Sequence, residues 1–355
     1  MQLNFRSSSN DLPRHASRIS GPSITEAIHV GPHVYSFGGT QSVIRAVRDS
    51  SIGADRIRVL ATWDGAGHGS SLKLTAAAAC VLARSPRRAV VHFHISTGGA
   101  WVREGILIRL AHARGLRVVV TIHGHDFPEF AAARPRVVSS TLAKAGHVIC
   151  LSDEVEALVK RLVPTQRVSV IANPVALDED APPASETRPI VLFAGTIARR
   201  KGVGVLVEAW KQLLDEGIDG ECRIIGRPDD FTPPELERLT VEGPVHPDEI
   251  PALLRTVRVV ALPSEAEGMP MILTEALAGA RPFVATPVGG TAQITPDADM
   301  LVPVGDAPAL AAALGRYLRD PQLAEAAGRR GQDHIRKTRS PAVIDARLRE
   351  IYEGL

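Results

Sequence analysis

Cysteine is scarce in this chain of 355 residues. The three present, Cys80, Cys150 and Cys222, lie far apart, which excludes a disulfide framework or a paired thiolate metal site and points to a cytoplasmic setting. Aromatic residues make up only 4%, too few to interleave with basic side chains as in a nucleic-acid surface, and no nucleic-acid partner is expected. No apolar run reaches the ~20 residues of a membrane helix. The opening MQLNFRSSSNDLPRH has no apolar stretch of the signal-peptide kind.

Net charge is also small, at +2, but uneven, since residues 1–150 hold 18 basic against 8 acidic side chains. A basic first domain fits contact with an anionic membrane face or an anionic acceptor. Scattered, solvated arginines account for it equally well. What remains, 45% hydrophobic and 23% charged residues, is the balance of a soluble globular protein, and the length calls for two domains.

Short β-branched runs alternate with Ala/Leu/Arg-rich helical stretches. In the first half, strands are expected at Arg56–Ala61, Ala89–Phe93, Arg117–Ile122, His147–Cys150 and Val168–Ile171. Helices are expected at Thr40–Arg48, Leu72–Arg84, Val102–Arg114, Pro135–Ala143 and Glu154–Leu162. A second series follows, with strands at Ile190–Phe193, Cys222–Ile225, Thr240–Val241, Val257–Ala261 and Phe283–Ala285. Its helices are Val203–Glu216, Pro247–Leu254, Met271–Ala278, Pro308–Arg319 and Pro321–Lys337. Such alternation implies parallel sheets covered on both faces, that is, two doubly wound Rossmann-like α/β domains facing a central cleft. The expected divisions are a polar lead-in over 1–22, a first domain over 23–175, a Pro/acid-rich linker over 176–189 and a second domain over 190–338. A last helix, 339–355, is long enough to cross back onto the first domain.

The segment Pro263–Met271 carries the strongest chemistry. An apolar strand ends at Pro263, a turn holds Glu267, Gly268 and Met269, and a helix begins at Met271 with Glu275 inside it. Open amides and a positive dipole at the helix start suit a phosphate, and carboxylates beside it suit sugar hydroxyls. The plainer alternative is that Glu267 caps the helix and Glu275 lies on a solvated face.

The frame PSxxEGxPxxxxEA over Pro263–Ala276 resembles the retaining glycosyltransferases of family 4, which have the GT-B fold. Further matches occur in the family's order: Phe37–Gly39, Thr121–Gly124, Val170–Val175, Phe193–Gly202 and Thr286–Gly290. The resemblance implies that Glu267 contacts hydroxyls of the transferred sugar and Glu275 the ribose of the nucleotide. It implies that Lys201, helped by Arg200, neutralises the diphosphate, as preorganised cations do where a leaving group gains charge. Gly39 lets the backbone approach the donor, and His123 reaches the sugar near its reacting carbon. The Thr196 loop, Gly268, Met269 and the amides of Met271 and Ile272 complete the phosphate cradle, and Gly226 lies near the base. The implied reaction moves a sugar from a UDP- or GDP-linked donor to a hydroxyl acceptor, with no metal and no cofactor.

Three departures stand out: Thr196 replaces a frequent arginine, Pro270 removes an amide and Gln293 replaces a frequent glutamate. Two rival readings follow. A dinucleotide-dependent oxidoreductase lacks its G-x-G-x-x-G here, whereas a non-catalytic nucleotide-sugar-binding subunit is favoured by Thr196. His92 and His94 alternate on a strand, one expected buried and one reaching the cleft. Asp178–Asp180 and Asp297–Asp299 have a D-x-D form but are expected to be solvated loops.

Overall fold

Runs rich in β-branched residues, with Gly or Pro at most of their ends, form the strands of two parallel sheets. The chain is described by a computed structural model over residues 27–33, 43–44, 47, 57–65, 67–96, 98–124 and 126–355. The expected lead-in over 1–22 and the turn at Phe37–Gly39, including Gly39, lie outside the described residues, as does most of the helix expected at Thr40–Arg48.

The first sheet contains β1 (Ala27–Pro32), β2 (Ile57–Trp63), β3 (Val90–Ile95), β4 (Arg117–Ile122), β5 (His147–Cys150) and β6 (Val168–Val170), in the order β2-β1-β3-β4-β5-β6. The second contains β7 (Ile190–Ala194), β8 (Glu221–Ile225), β9 (Leu239–Glu242), β10 (Val259–Leu262) and β11 (Phe283–Ala285), in the order β11-β10-β7-β8-β9. All pairings are parallel. A parallel sheet is hydrophobic on both faces and needs helices on each. They are supplied first by α1 (His68–Arg84), α2 (Gly98–Ala113), α3 (Phe127–Ala133), α4 (Pro135–Leu142) and α5 (Asp153–Leu162). The second sheet has α6 (Val203–Asp215), α7 (Ile250–Leu254), α8 (Met271–Ala278), α9 (Ala307–Arg319) and α10 (Pro321–Thr338).

Strand order reverses between β1 and β3 in one sheet and between β7 and β10 in the other. Ligands of doubly wound sheets collect outside the carboxyl ends at such points. The carboxyl ends of the two sheets face each other. Gln293, beyond the end of β11, donates to Asp153, just beyond the end of β5, at 3.3 Å.

The structure adds to and corrects the expected elements. β1 is absent from the expected strands, yet it is fully buried and lies inside the sheet between β2 and β3; its Gly31–Pro32 end and a buried polar residue, His29, mask its apolar alternation. Helix Pro247–Leu254 is a 3-10 turn, Pro247–Glu249, followed by only five α-helical residues. The linker over 176–189 is not free. Asp178 forms a two-pronged salt bridge with Arg255, at 2.6 Å on each prong, while the buried Arg281 donates to the carbonyl of Pro182 at 2.7 Å. The linker is thus fastened to the second domain, which its composition does not reveal.

The chain crosses back at Arg339. That residue is buried and donates to the carbonyl of Gln293 at 2.7 Å, while its own carbonyl accepts from Val175 at 3.0 Å. Pro341 then opens α11 (Pro341–Glu353), whose Ile344, Leu348, Ile351 and Tyr352 pack on Ala27, Val90, Val119, Ile149 and Ile171 of the first sheet.

Candidate active site

Two adjacent strands of the second sheet deliver the central pair. The loop after β7 makes one 3-10 turn, Arg199–Lys201, and ends at Gly202 with φ +69°. A Cβ there would meet the carbonyl oxygen of Pro263 at 1.9 Å, so glycine lets this loop press on the exit of β10. From below, Gly289 has φ +54°, and its Cβ would meet the carbonyl oxygen of Glu267 at 1.9 Å. Gly290 donates its amide to the carbonyl of Gly268 at 2.7 Å, and the Thr286 hydroxyl donates to the carbonyl of Ser264. The loop bearing Glu267 is therefore clamped from two sides.

Within this clamp the Lys201 ammonium donates to Oε1 of Glu267 at 2.6 Å, and the Ser264 hydroxyl donates to the same oxygen at 2.6 Å. Lys201 and Glu267 side chains are 17% and 8% exposed, so the pair is largely desolvated. Glu267 therefore does not cap α8, whose N-terminus has no side-chain cap. The amides of Met271 and Ile272 face an uncapped start. The Met269 side chain turns into the core, with its sulfur 3.3 Å from an Arg339 nitrogen, leaving only its backbone for a ligand.

Glu275 does not sit on a solvated face. Burial pushes its carboxyl up to about 7, and it has no hydrogen-bond partner among the described residues. Thr196 is partly buried at the loop's entry. Of the two arginines beside Lys201, Arg199 is turned over the Phe231 ring at 5.8 Å, whereas Arg200 is exposed and without a side-chain partner among the described residues. Gly226, at the exit of β8, lies so close to Gly195 that a Cβ would sit 1.7 Å from its carbonyl oxygen.

The first domain contributes His123 at the end of β4. Its amide donates to Ile95 at 2.7 Å, and Gly124 follows where a Cβ would strike the Ser96 carbonyl at 1.9 Å. His92 and His94 are both buried, correcting the expectation that one reaches the cleft. Residues two apart on a strand share a face, and these rings stack at 4.4 Å. His94 links His123 to His29 through hydrogen bonds of 2.9 Å on either side. His92 is bonded at 2.6 Å to Tyr352 and at 2.6 Å to Thr121. Burial lowers His29 to about 4 and His123 to about 3, and depresses His92 and His94 well below the usual range, with neighbouring histidines adding to it. The imidazoles are therefore neutral.

Nitrogens of His29, His92 and His94 come within 4.8 Å of one another. In this structure the ring nitrogens of these three histidines are all engaged in hydrogen bonds within the cluster. His29 and Tyr352 were not expected from sequence. No local pattern marks a histidine on an apolar strand or a tyrosine near the chain's end as partners. In the D-x-D segments Asp178 pairs with Arg255 and Asp297 with Arg330 at the surface, while Asp180 and Asp299 are exposed, as expected of solvated loops.

Glu275 generates a pH prediction. Its folded-state value of about 7 exceeds the ordinary 4.5, so the native state holds an extra proton between those pH values. Stability from this group is present at the acid end and is lost as pH rises through about 7. Glu275→Gln is therefore expected to stabilise the ligand-free protein by about 1–3 kcal/mol at pH 8 and by little at pH 4.5, read by denaturant unfolding at both. An equal effect at the two pH values would contradict a half-buried carboxyl that desolvation holds above its ordinary value.

Comparison with known proteins identifies the family and the fold. Residues 32–179 match the family described as Glycosyltransferase Family 4, and residues 188–320 match Glycosyl transferases group 1. The chain is 28% identical to the alpha-D-kanosaminyltransferase of Streptomyces kanamyceticus over 66% of this chain and 69% of that protein. Among solved structures, sucrose-phosphate synthase of Thermosynechococcus elongatus superposes with a TM-score of 0.72 at 20% identity, covering 93% of this chain and 98% of that one. HepE of Anabaena, in complex with UDP, superposes with a TM-score of 0.70 at 16% identity, covering 93% and 100%. No described helix is long and apolar enough to cross a membrane. With both domains matched in order and the two sheets superposing on GT-B structures, this chain belongs to the family 4 glycosyltransferases.

Proposed function

We propose that the chain transfers a sugar from a UDP- or GDP-linked donor to a hydroxyl acceptor, retaining the anomeric configuration and requiring no metal. The observation that carries this is the desolvated Lys201–Glu267 pair at the reversal of strand order, beside the uncapped start of α8. The HepE structure, which holds UDP, supports a nucleotide donor.

Lys201, Arg200 and the first amides of α8 would hold the diphosphate and stabilise the negative charge it gains as the glycosidic bond breaks. Glu267 Oε1 is occupied by Lys201 and Ser264, which leaves Oε2 to accept from a sugar hydroxyl. Glu275, unpartnered in the free protein, would accept from the ribose, and a donor hydroxyl there favours its ionised form. His123 would meet the sugar from the other domain. In this scheme the acceptor attacks the face from which the nucleotide leaves, and a phosphate oxygen takes its proton. The product belongs to polysaccharide, glycolipid or glycoside synthesis.

Thr196, standing where relatives often have arginine, favours a second reading, a subunit that binds nucleotide-sugar without turnover. The test is UDP or GDP release from a panel of nucleotide-sugars with mixed saccharide and lipid acceptors. Wild type is expected to turn over, with Glu267→Ala and Lys201→Ala losing at least 100-fold in kcat/KM, on the scale of removing a preorganised charge stabiliser. The sugar's anomeric proton is expected to keep the donor's configuration in the product's NMR spectrum. Donor binding without turnover across all acceptors would assign the binding subunit instead.

An anionic membrane is the second proposed partner. Leu72, Val102 and Ile106 are 73%, 64% and 60% exposed on α1 and α2, two helices that pack together in the basic domain. Co-sedimentation with phosphatidylglycerol vesicles is expected, and it should fall several-fold in Leu72→Glu/Ile106→Glu. Equal sedimentation of both proteins would reject this face as the membrane contact.

A further inference from the structure

The histidines behind His123 form one continuous chain of hydrogen bonds. It runs from Thr121 Oγ to His92 Nε2, from His92 Nδ1 to the Tyr352 hydroxyl and from that hydroxyl to His29 Nε2, at 2.6, 2.6 and 3.3 Å. It continues from His29 Nδ1 to His94 Nε2 and from His94 Nδ1 to His123 Nε2, each at 2.9 Å. Six groups make five links, and all but His123, which is partly buried, are buried.

Each group brings one proton. Burial keeps the imidazoles neutral, so each has one N–H and one bare nitrogen. Burial, reinforced by the charge of Asp345, raises the Tyr352 phenol and keeps it protonated. Donation that runs one way throughout keeps all five links, and there are two such directions. A reversal at a histidine sets two N–H groups or two lone pairs against each other and loses a bond, while both neighbours donating to the Tyr352 oxygen keeps the links but leaves the buried phenol proton unused.

The two directions differ at the ends. If donation runs from Thr121 toward His123, the threonine hydroxyl proton is used and His123 presents Nδ1–H outward. If it runs the other way, the Thr121 proton is left in a buried position with no acceptor among the described residues, and His123 presents a bare Nδ1. An unused buried donor costs more than an unused acceptor lone pair. We propose that this chain, through Tyr352 of the crossing helix α11, fixes His123 in the Nδ1–H form, making it a hydrogen-bond donor to the bound sugar and Tyr352 a positioning residue.

The inference rests on the proposed role of His123 only for its consequence in catalysis; the proton's location is a property of the free protein. Arg339 starts the crossing and α11 packs on the first sheet, so seating this helix, which completes the first domain, also sets the polarity of its active-site histidine.

The experiment is nitrogen-15 NMR of the full chain labelled at histidine, with the His123 signals assigned by their loss in His123→Gln. Wild type is expected to show a protonated Nδ1 and a bare Nε2 at His123. Tyr352→Phe keeps the ring but removes the link, and it is expected to give a mixture of both His123 forms. Thr121→Val removes the terminal proton and should act likewise, whereas Thr121→Ser should restore the wild-type signals. Where turnover is present, Tyr352→Phe is expected to lower kcat about tenfold with little change in KM. A protonated Nε2 at His123 in wild type, or wild-type His123 signals in both Tyr352→Phe and Thr121→Val, would overturn the proposal. Absence of turnover with the expected nitrogen signals would count against the enzymatic reading while leaving the chain's polarity intact.

Discussion

The contact between Lys201 and Glu267 is the constraint around which the second domain's loops are arranged. A cation and a carboxylate withdrawn from water are tolerated only with good geometry and further hydrogen bonds. Both are supplied: 2.6 Å from the ammonium and 2.6 Å from Ser264. Holding that geometry requires three loops to approach more closely than side chains permit, hence glycine at 202 and 289. The charged pair and the glycines therefore belong to one device. Replacing either glycine would move the carboxylate, and losing either charge would leave its partner buried without compensation.

Placement follows from topology. The loops after β7 and β10 adjoin only because strand order reverses between those strands, which opens the sheet's carboxyl edge to a ligand. The uncapped start of α8 and the unpartnered Glu275 lie on the same edge. An anion-compatible helix start, a lysine, two carboxylates and an exposed arginine next to one another form a surface suited to a phosphate flanked by hydroxyls. The first domain turns its own carboxyl edge toward this surface, presenting neutral His123.

Much of this was legible in the sequence. Alternation of β-branched runs and helical stretches gave two parallel-sheet domains, and the ordered matches from Thr121–Gly124 to Thr286–Gly290 named the family. The placement of Glu267, Lys201 and Glu275 was legible because it depends on local spacing around a strand end and a helix start. The pairing of Lys201 with Glu267 was not, since the two are 66 residues apart and meet only through the glycine approaches. β1 is not legible because a histidine and a Gly–Pro end interrupt its pattern. His29 and Tyr352, 323 residues apart, join only after the last helix crosses between domains. That the linker near Asp178 is docked was not legible, because composition does not reveal that Arg255 and Arg281 meet it in the fold.

The most direct test of the central claim, that this edge is a donor site built on Lys201, is calorimetric titration of the ligand-free protein with UDP, GDP and their sugar conjugates. The account predicts saturable binding of at least one of these, weakened at least tenfold in Lys201→Met and unaffected by Arg188→Met, a distant exposed site. Failure of every nucleotide to bind, or equal affinity in wild type and Lys201→Met, would contradict it.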